Sequence, residues 1–279
     1  MNKLIFLSGI LAFLLSNNLK AQESVCDCPG QKNTATGTFY FAWGYNKDYY
    51  SKSDIHFSNS GSDNYDFTLY DLKAKDRTGF RDILRTDLTI PQYVYRIGYY
   101  FNNKQNIGIE INFDHSKYVM INNQTAHLTG QIRGTHYDKD TLVSPSFLKF
   151  EHTNGANFLM FNAIKRQTLL KTKNKKHWLS AVIKVGPGIV IPKTDVTLFG
   201  TRLDNRFHIA GYIVGADIGI RYDFFNYWFF ESSVKGSFAN YTNVLTIGTG
   251  KANHSFYTFQ AIASLGFSLP VKHKKKVDK

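Results

Sequence analysis

His56 and Ser58 stand two positions apart, a spacing that puts both side chains on one face of an extended strand. An imidazole beside a hydroxyl is what nucleophilic catalysis requires: the ring takes the proton as the oxygen attacks, and a carboxylate orients the ring. Asp54 and Asp66 are both candidates for that carboxylate, and the sequence does not choose between them. A second set, His115, Ser116, His127, His136, Asp138, Asp140 and His152, carries metal-ligating side chains. It lacks compact ligand spacing and falls mostly in one long polar stretch, so solvated polarity accounts for it, and neither a metal centre nor a cofactor is expected. Gly186-Pro187-Gly188 and Gly248-Thr249-Gly250 precede no helical pattern, so they read as bends rather than phosphate cradles.

The elements that position these residues begin with an address. Lys3, an apolar run from Leu4 to Leu15 and small Ala21 form a secretory signal peptide over residues 1–21. No later segment reaches the length of a membrane-spanning helix. Cys26 and Cys28 follow at once; a disulfide across one residue would be strained and would staple no loop, and two thiols without a nearby His do not complete a zinc site. Residues 22–36 read as a periplasmic N-terminal segment, 37–270 as one domain, and 271–279 as a basic tail. The net charge of +13 is concentrated at Lys165 to Lys176 and in that tail, as solvated clusters; no nucleic-acid partner is expected.

Strict alternation pervades the domain. In Tyr257 to Leu269, Tyr257, Phe259, Ala261, Ala263, Leu265, Phe267 and Leu269 share one face, and Gln260, Ser264 and Ser268 the other. A period of two over about ten residues suits a tilted strand crossing an outer membrane, apolar toward lipid and polar toward the lumen. Similar runs occur at Gly37–Tyr45, Tyr93–Phe101, Ile107–Phe113, Leu179–Val185, Tyr212–Phe224 and Trp228–Phe238, with a less regular one at Asn157–Leu170. Pro187 and Pro192 are expected to push the Leu179 strand out of regular pairing. Two shorter pieces, Asp54–Phe57 and Tyr65–Asp71, make a further hairpin. The expected fold is all-β, a transmembrane antiparallel up-and-down β-barrel of about ten strands within a range of 8–12. Eight result if the short hairpin belongs to a loop system.

Short links at Asn59–Asn64, Asn102–Asn106, Lys171–Lys176 and Phe225–Asn226 alternate with long ones, chiefly Ile121–Gly155 and Ile191–Phe207. Outer-membrane barrels have short periplasmic turns and long outer loops. The inward set would be Arg96, Glu110, Asp114, Lys184, Asp217, Arg221, Asp223, Glu231 and Lys235, a lumen charge network of mixed sign. Such charges must pair, and a barrel this narrow is filled by its own side chains.

The signal segment, the strand Phe39-Tyr40-Phe41-Ala42-Trp43-Gly44-Tyr45, the Gly-rich Gly211–Gly219 run and Ala263-Ser264-Leu265-Gly266-Phe267 together resemble the outer-membrane β-barrel proteins of Gram-negative bacteria. The resemblance implies the cell outer membrane as location, with outer-membrane lipids and the barrel-assembly machinery as partners. The expected role is structural or surface-interacting, with an extracellular ligand at the long loops and no evident catalytic motif. Two alternatives stand beside it. His56-Phe57-Ser58 resembles the His-x-Ser motif of the lipid A deacylases, which implies a lipid-modifying barrel enzyme using His56 and Ser58. A narrow pore for small solutes is the other.

Overall fold

Alternation of apolar and polar residues closes a ring. The computed structural model describes residues 35–61, 63–77, 92–101, 106–174 and 176–272. The signal segment, Cys26, Cys28 and the lysines beyond Lys272 lie outside the described residues. The strands are β1 (Ala35–Tyr50), β2 (Ser53–Asn59), β3 (Tyr65–Leu72), β4 (Ala74–Lys75), β5 (Tyr93–Phe101), β6 (Ile107–His115), β7 (Tyr118–Met120), β8 (Gln124–Ile132) and β9 (Thr135–Val143). They continue with β10 (Leu148–His152), β11 (Phe158–Lys171), β12 (His177–Val190), β13 (Asp195–Leu198), β14 (Thr201–Asp204), β15 (Gly211–Phe224), β16 (Trp228–Leu245) and β17 (Lys251–Lys272).

Eight of them, in the order β1-β5-β6-β11-β12-β15-β16-β17, form an antiparallel barrel that β17 closes by pairing with β1. At the seam Phe39 faces Leu269 and Tyr45 faces Ala263, while Trp228 pairs with Phe267 on the other side of β17. Gly44 allows this approach, because a Cβ there would stand 2.2 Å from the Ala263 carbonyl oxygen. Outward residues form the apolar belt a spanning barrel needs. Ile97, Ile109, Ile111, Val185, Ile218, Ile220, Val234 and Leu265 are exposed in its middle. Aromatic residues flank them, with Tyr49, Tyr95, Tyr212 and Tyr257 toward one rim and Phe39, Phe101, Tyr222 and Trp228 toward the other. The second rim carries the first and last described residues, since Ala35 pairs with Lys272. It also carries the tight turns, among them Phe225-Asn226, where both residues are left-handed (φ 54° and 72°).

Pro187 does not end its strand. It stays in register with Val214 of β15, and its missing N–H falls on the β11 side, where pairing lapses between Met160/Gly188 and Ala163/Val185.

The short hairpin of β2 and β3 is not part of the ring, which resolves the strand number to the lower end of the expected range. It pairs instead with the outer extension of β17, Ser58 facing Lys251 and Ile55 facing His254, so the turn at Asn59–Asn64 lies on the outer side. The stretches Ile121–Gly155 and Ile191–Phe207, expected as loops, are largely strands. From β17 one sheet continues outward as β2-β3-β8-β9, and a second sheet has the order β14-β13-β10-β7-β4. The two face each other across a hydrophobic core: Ile55, Phe57, Phe67, Leu69 and Leu128 from the first meet Tyr118, Met120, Leu148, Phe150, Val196 and Leu198 from the second. Phe57 stacks on Phe67 at 5.2 Å and meets Phe150 edge-on at 5.7 Å. The same cluster includes Met160, Ile213, Ala239 and Phe256 of the barrel strands, so the outer β structure is welded to the barrel mouth. Alternation appears in these strands too, because a sandwich strand is two-sided like a barrel strand.

Candidate functional site: the lumen and its outer mouth

All nine residues of the inward set are buried. Each sits on the inward pleat of its strand, even-numbered in β5, β6 and β12 and odd-numbered in β15 and β16, where water is scarce and a charge needs a partner. Lys184 Nζ bonds Glu110 Oε2 at 2.8 Å and Glu231 Oε1 at 2.7 Å. Arg96 donates to Glu231 Oε1 at 2.6 Å and to Asp217 Oδ2 at 2.7 Å. Lys235 pairs with Asp114 and reaches Asn112. Arg221 binds Asp223 Oδ1 through Nε and Nη2 and covers the Phe229 ring, 3.4 Å from its centroid.

Four cations and five carboxylates leave this set one positive charge short. Arg166 supplies it. Sequence reasoning placed it in a solvated basic turn, yet it is 3% exposed, pairs with Asp223 at 3.7 Å and lies over the Tyr100 ring. Its signal was parity: Met160, Asn162, Ile164 and Arg166 of β11 all face the lumen, whereas Lys165 faces out. Tyr40 was likewise not anticipated; its hydroxyl donates to Glu110 at 2.5 Å, and Gly98 opposite makes room for its ring.

Toward the outer mouth the lining changes. Asp48 accepts from Asn46, Gln92 and Gln260 amides and from the Tyr50 hydroxyl. Beyond it, above the aromatic rim, lies a dry layer of Tyr118, Phe150, Tyr241 and Phe256 around two histidines. His152 Nε2 faces His254 Nε2 at 3.4 Å, and their Nδ1 atoms meet Thr194 Oγ1 at 3.0 Å and Ser53 Oγ at 3.3 Å. Burial pushes His152 well below the ordinary histidine range and His254 down to about 3, so both are neutral near pH 7. The ion pairs, the Asp48 cluster and this layer fill the lumen in succession.

The residues with catalytic or metal-binding potential are dispersed. His56 and Ser58 share the outer face of β2, but the His56 ring bonds Thr68 Oγ1 at 3.1 Å rather than Ser58. Asp66, opposite Ser58, has an oxygen 3.7 Å from His56 Nε2, whereas the Asp54 carboxylate accepts the Asp71 N–H. Ser58 lies beside Lys251, beyond the rim residue Tyr257. His115 bonds Asn157. Both nitrogens of His127 are engaged, Nδ1 with Asp140 at 3.0 Å and Nε2 with Asp138 at 2.9 Å. The hydrogen bond to Asp140 leads in holding its pKa above the ordinary value, and both ring nitrogens are already occupied by carboxylates. Among the described residues no group of three or more His, Cys, Asp or Glu side chains converges as metal ligands.

A closed antiparallel ring with an apolar outer belt and a polar, charge-paired interior defines a membrane-spanning β-barrel of the outer-membrane kind. Among solved structures the chain is similar to the outer membrane protein OprG from Pseudomonas aeruginosa, at 12% identity over 88% of this chain and 100% of that one, with a TM-score of 0.38. It is similar to Neisserial surface protein A at 7% identity, covering 82% and 96% of the two chains with a TM-score of 0.34. The attachment invasion locus protein Ail of Yersinia pestis follows at 9% identity, 84% and 99% coverage and a TM-score of 0.32. No family model and no curated protein matches the sequence.

Proposed function

We propose that this protein is a non-enzymatic outer-membrane barrel that presents a folded β structure at the cell surface for contact with an extracellular ligand. The observation that carries this reading is the hydrophobic core joining β2-β3-β8 to β7-β10-β13, which holds the outer strands rigid over a lumen filled with side chains. A preorganised surface binds without the entropic cost of ordering loops. The outer face offers a polar cleft lined by Lys52, Tyr70, Asp71, Lys73, Gln124 and His127, suited to a hydrogen-bonding ligand. In this reading residues 1–21 are removed on export, residues 22–36 and the basic tail 271–279 stay periplasmic, and the barrel-assembly machinery inserts residues 37–270.

Cell fractionation with heat-modifiable gel migration tests the membrane assignment, and recovery of the mature chain as a soluble periplasmic protein would refute it. Binding of intact cells to arrayed host glycans and matrix proteins tests the role. Cells displaying Tyr70→Ala with His127→Ala should insert the barrel normally and lose binding seen with the parent. Lipid A mass spectra unchanged by expression of the protein are also expected; a deacylated species that disappears in Ser58→Ala would favour catalysis instead.

A further inference from the structure

The cluster around Asp48 has an unusual imbalance of donors and acceptors. Asp48 is 1% exposed and has no ion-pair partner among the described residues. Its carboxylate is met by amide nitrogens: Asn46 Nδ2 at 3.2 Å and Gln260 Nε2 at 2.9 Å on Oδ1, and Gln92 Nε2 at 3.2 Å on Oδ2. Asn46 and Gln260 also donate to Ser116 Oγ, at 2.9 and 3.1 Å. A second carboxylate is adjacent, since Asp76 Oδ2 accepts the Asp48 backbone N–H at 2.9 Å. Every amide nitrogen is therefore used, yet the amide oxygens are not. Asn46 Oδ1, Gln92 Oε1, Gln260 Oε1 and Asp76 Oδ1 are all buried with no hydrogen-bond partner.

Four orphaned oxygens at one level of a barrel are costly, because a buried acceptor without a donor forfeits its hydration. The side chains that carry them meet at Asp48 from β1, β17, the segment before β5 and the segment after β4, so no single turn explains the cluster. Turning an amide over exchanges nitrogen for oxygen at the same point. The three amides would then aim oxygens at the Asp48 carboxylate, an arrangement that is repulsive unless a cation stands between them. We propose that Asn46, Asp48, Asp76, Gln92, Ser116 and Gln260 form a calcium site at the outer mouth of the lumen. Two carboxylates, three amide oxygens and a hydroxyl make the six to eight oxygen ligands that calcium takes. Magnesium retains several of its waters, and transition metals prefer nitrogen or sulfur donors, which the cluster does not offer. The Lys47 ammonium, 3.4 Å from Asp76 Oδ2, lies at the exposed edge and can swing to solvent as the ion enters.

The test uses the full mature chain folded in detergent without lipopolysaccharide, stripped with chelator and titrated with calcium. The unfolding temperature should rise saturably. Terbium should give luminescence sensitised by Tyr50, whose hydroxyl is 3.1 Å from Asp48 Oδ2, and calcium should quench it. Asp48→Asn should abolish both responses while raising the unfolding temperature of the calcium-free protein, because it removes an uncompensated buried charge. If Asp48→Asn does not fold, Gln260→Leu and Gln92→Leu, which keep both carboxylates, should each weaken the terbium titration. The proposal is overturned if the parent shows neither response, as it would if water alone meets these oxygens. Equal stabilisation of Asp48→Asn by calcium, or an equal shift with magnesium or sodium at the same concentration, would also overturn it.

Discussion

The Arg96 guanidinium and the Glu231 carboxylate, on strands that are not neighbours in the ring, meet 2.6 Å apart at the centre of the lumen. Lys184 binds the same carboxylate oxygen from a third strand. Glu231 therefore holds two cations from separate strands, and Glu231→Ala strips one carboxylate from each, leaving Arg96 with Asp217 and Lys184 with Glu110 in a dry interior. Breaking a buried pair in this way costs about 3–5 kcal/mol. Urea unfolding in detergent micelles should register that loss, while Arg96→Met combined with Glu231→Leu, which removes equal and opposite charges, should cost less than the sum of the two single changes.

The filled lumen makes a prediction about transport. Arg96, Lys184 and Glu231 are joined by ion pairs, and the Tyr118, His152 and His254 layer lies above them, all with buried side chains. Planar bilayers containing verified folded protein should stay silent. Discrete conductance steps from the parent chain would show that this packing opens in a membrane.

The histidine pair predicts acid sensitivity of the outer structure. His152 and His254 are neutral when folded and have ordinary affinity for protons when unfolded. Between the unfolded value near 6.5 and the folded value of about 3 for His254, the unfolded state binds more protons, so stability falls as pH falls through that window and is fully present above it. The slope is about 1.4 kcal/mol per pH unit for each histidine. Near-UV circular dichroism at pH 4.5 should report loosened aromatic packing, and His254→Phe should flatten the dependence below pH 6.5.

The outer core and the barrel should separate on mutation. Phe57 is fully buried between Phe67 and Phe150, and Phe57→Ala leaves a cavity worth about 3–5 kcal/mol. Hydrogen exchange should accelerate in β2, β3, β8 and β10, while heat-modifiable migration, which reads the barrel, persists.

The closing seam leaves no room for a side chain at Gly44. A Cβ at Gly44 would overlap the Ala263 carbonyl oxygen and crowd Ser264, so Gly44→Val should prevent β1 from pairing with β17. Loss of the compact, unheated gel species would register the failure; full recovery of that species would mean that the seam can part to admit a side chain.

The ring and the two faces of its strands were determined by the sequence itself. A spanning strand meets lipid on one side and a polar lumen on the other, so the environment writes a period of two into ten or so consecutive residues, and Tyr257–Leu269 carries that record intact. The same pattern could not separate barrel strands from β2, β3 and β8, because a strand between solvent and a sandwich core alternates in the same way. Only the tertiary structure decided that their apolar face meets Tyr118, Phe150 and Val196 rather than lipid. Parity likewise put Arg166 on the lumen face of β11, but a neighbouring run of lysines masked it, and only the packed barrel brings Asp223 within reach. The Asp48 cluster was not legible at all. Its oxygens come from positions as far apart as 46 and 260, and what joins them is the shear of a closed ring, which no local pattern encodes.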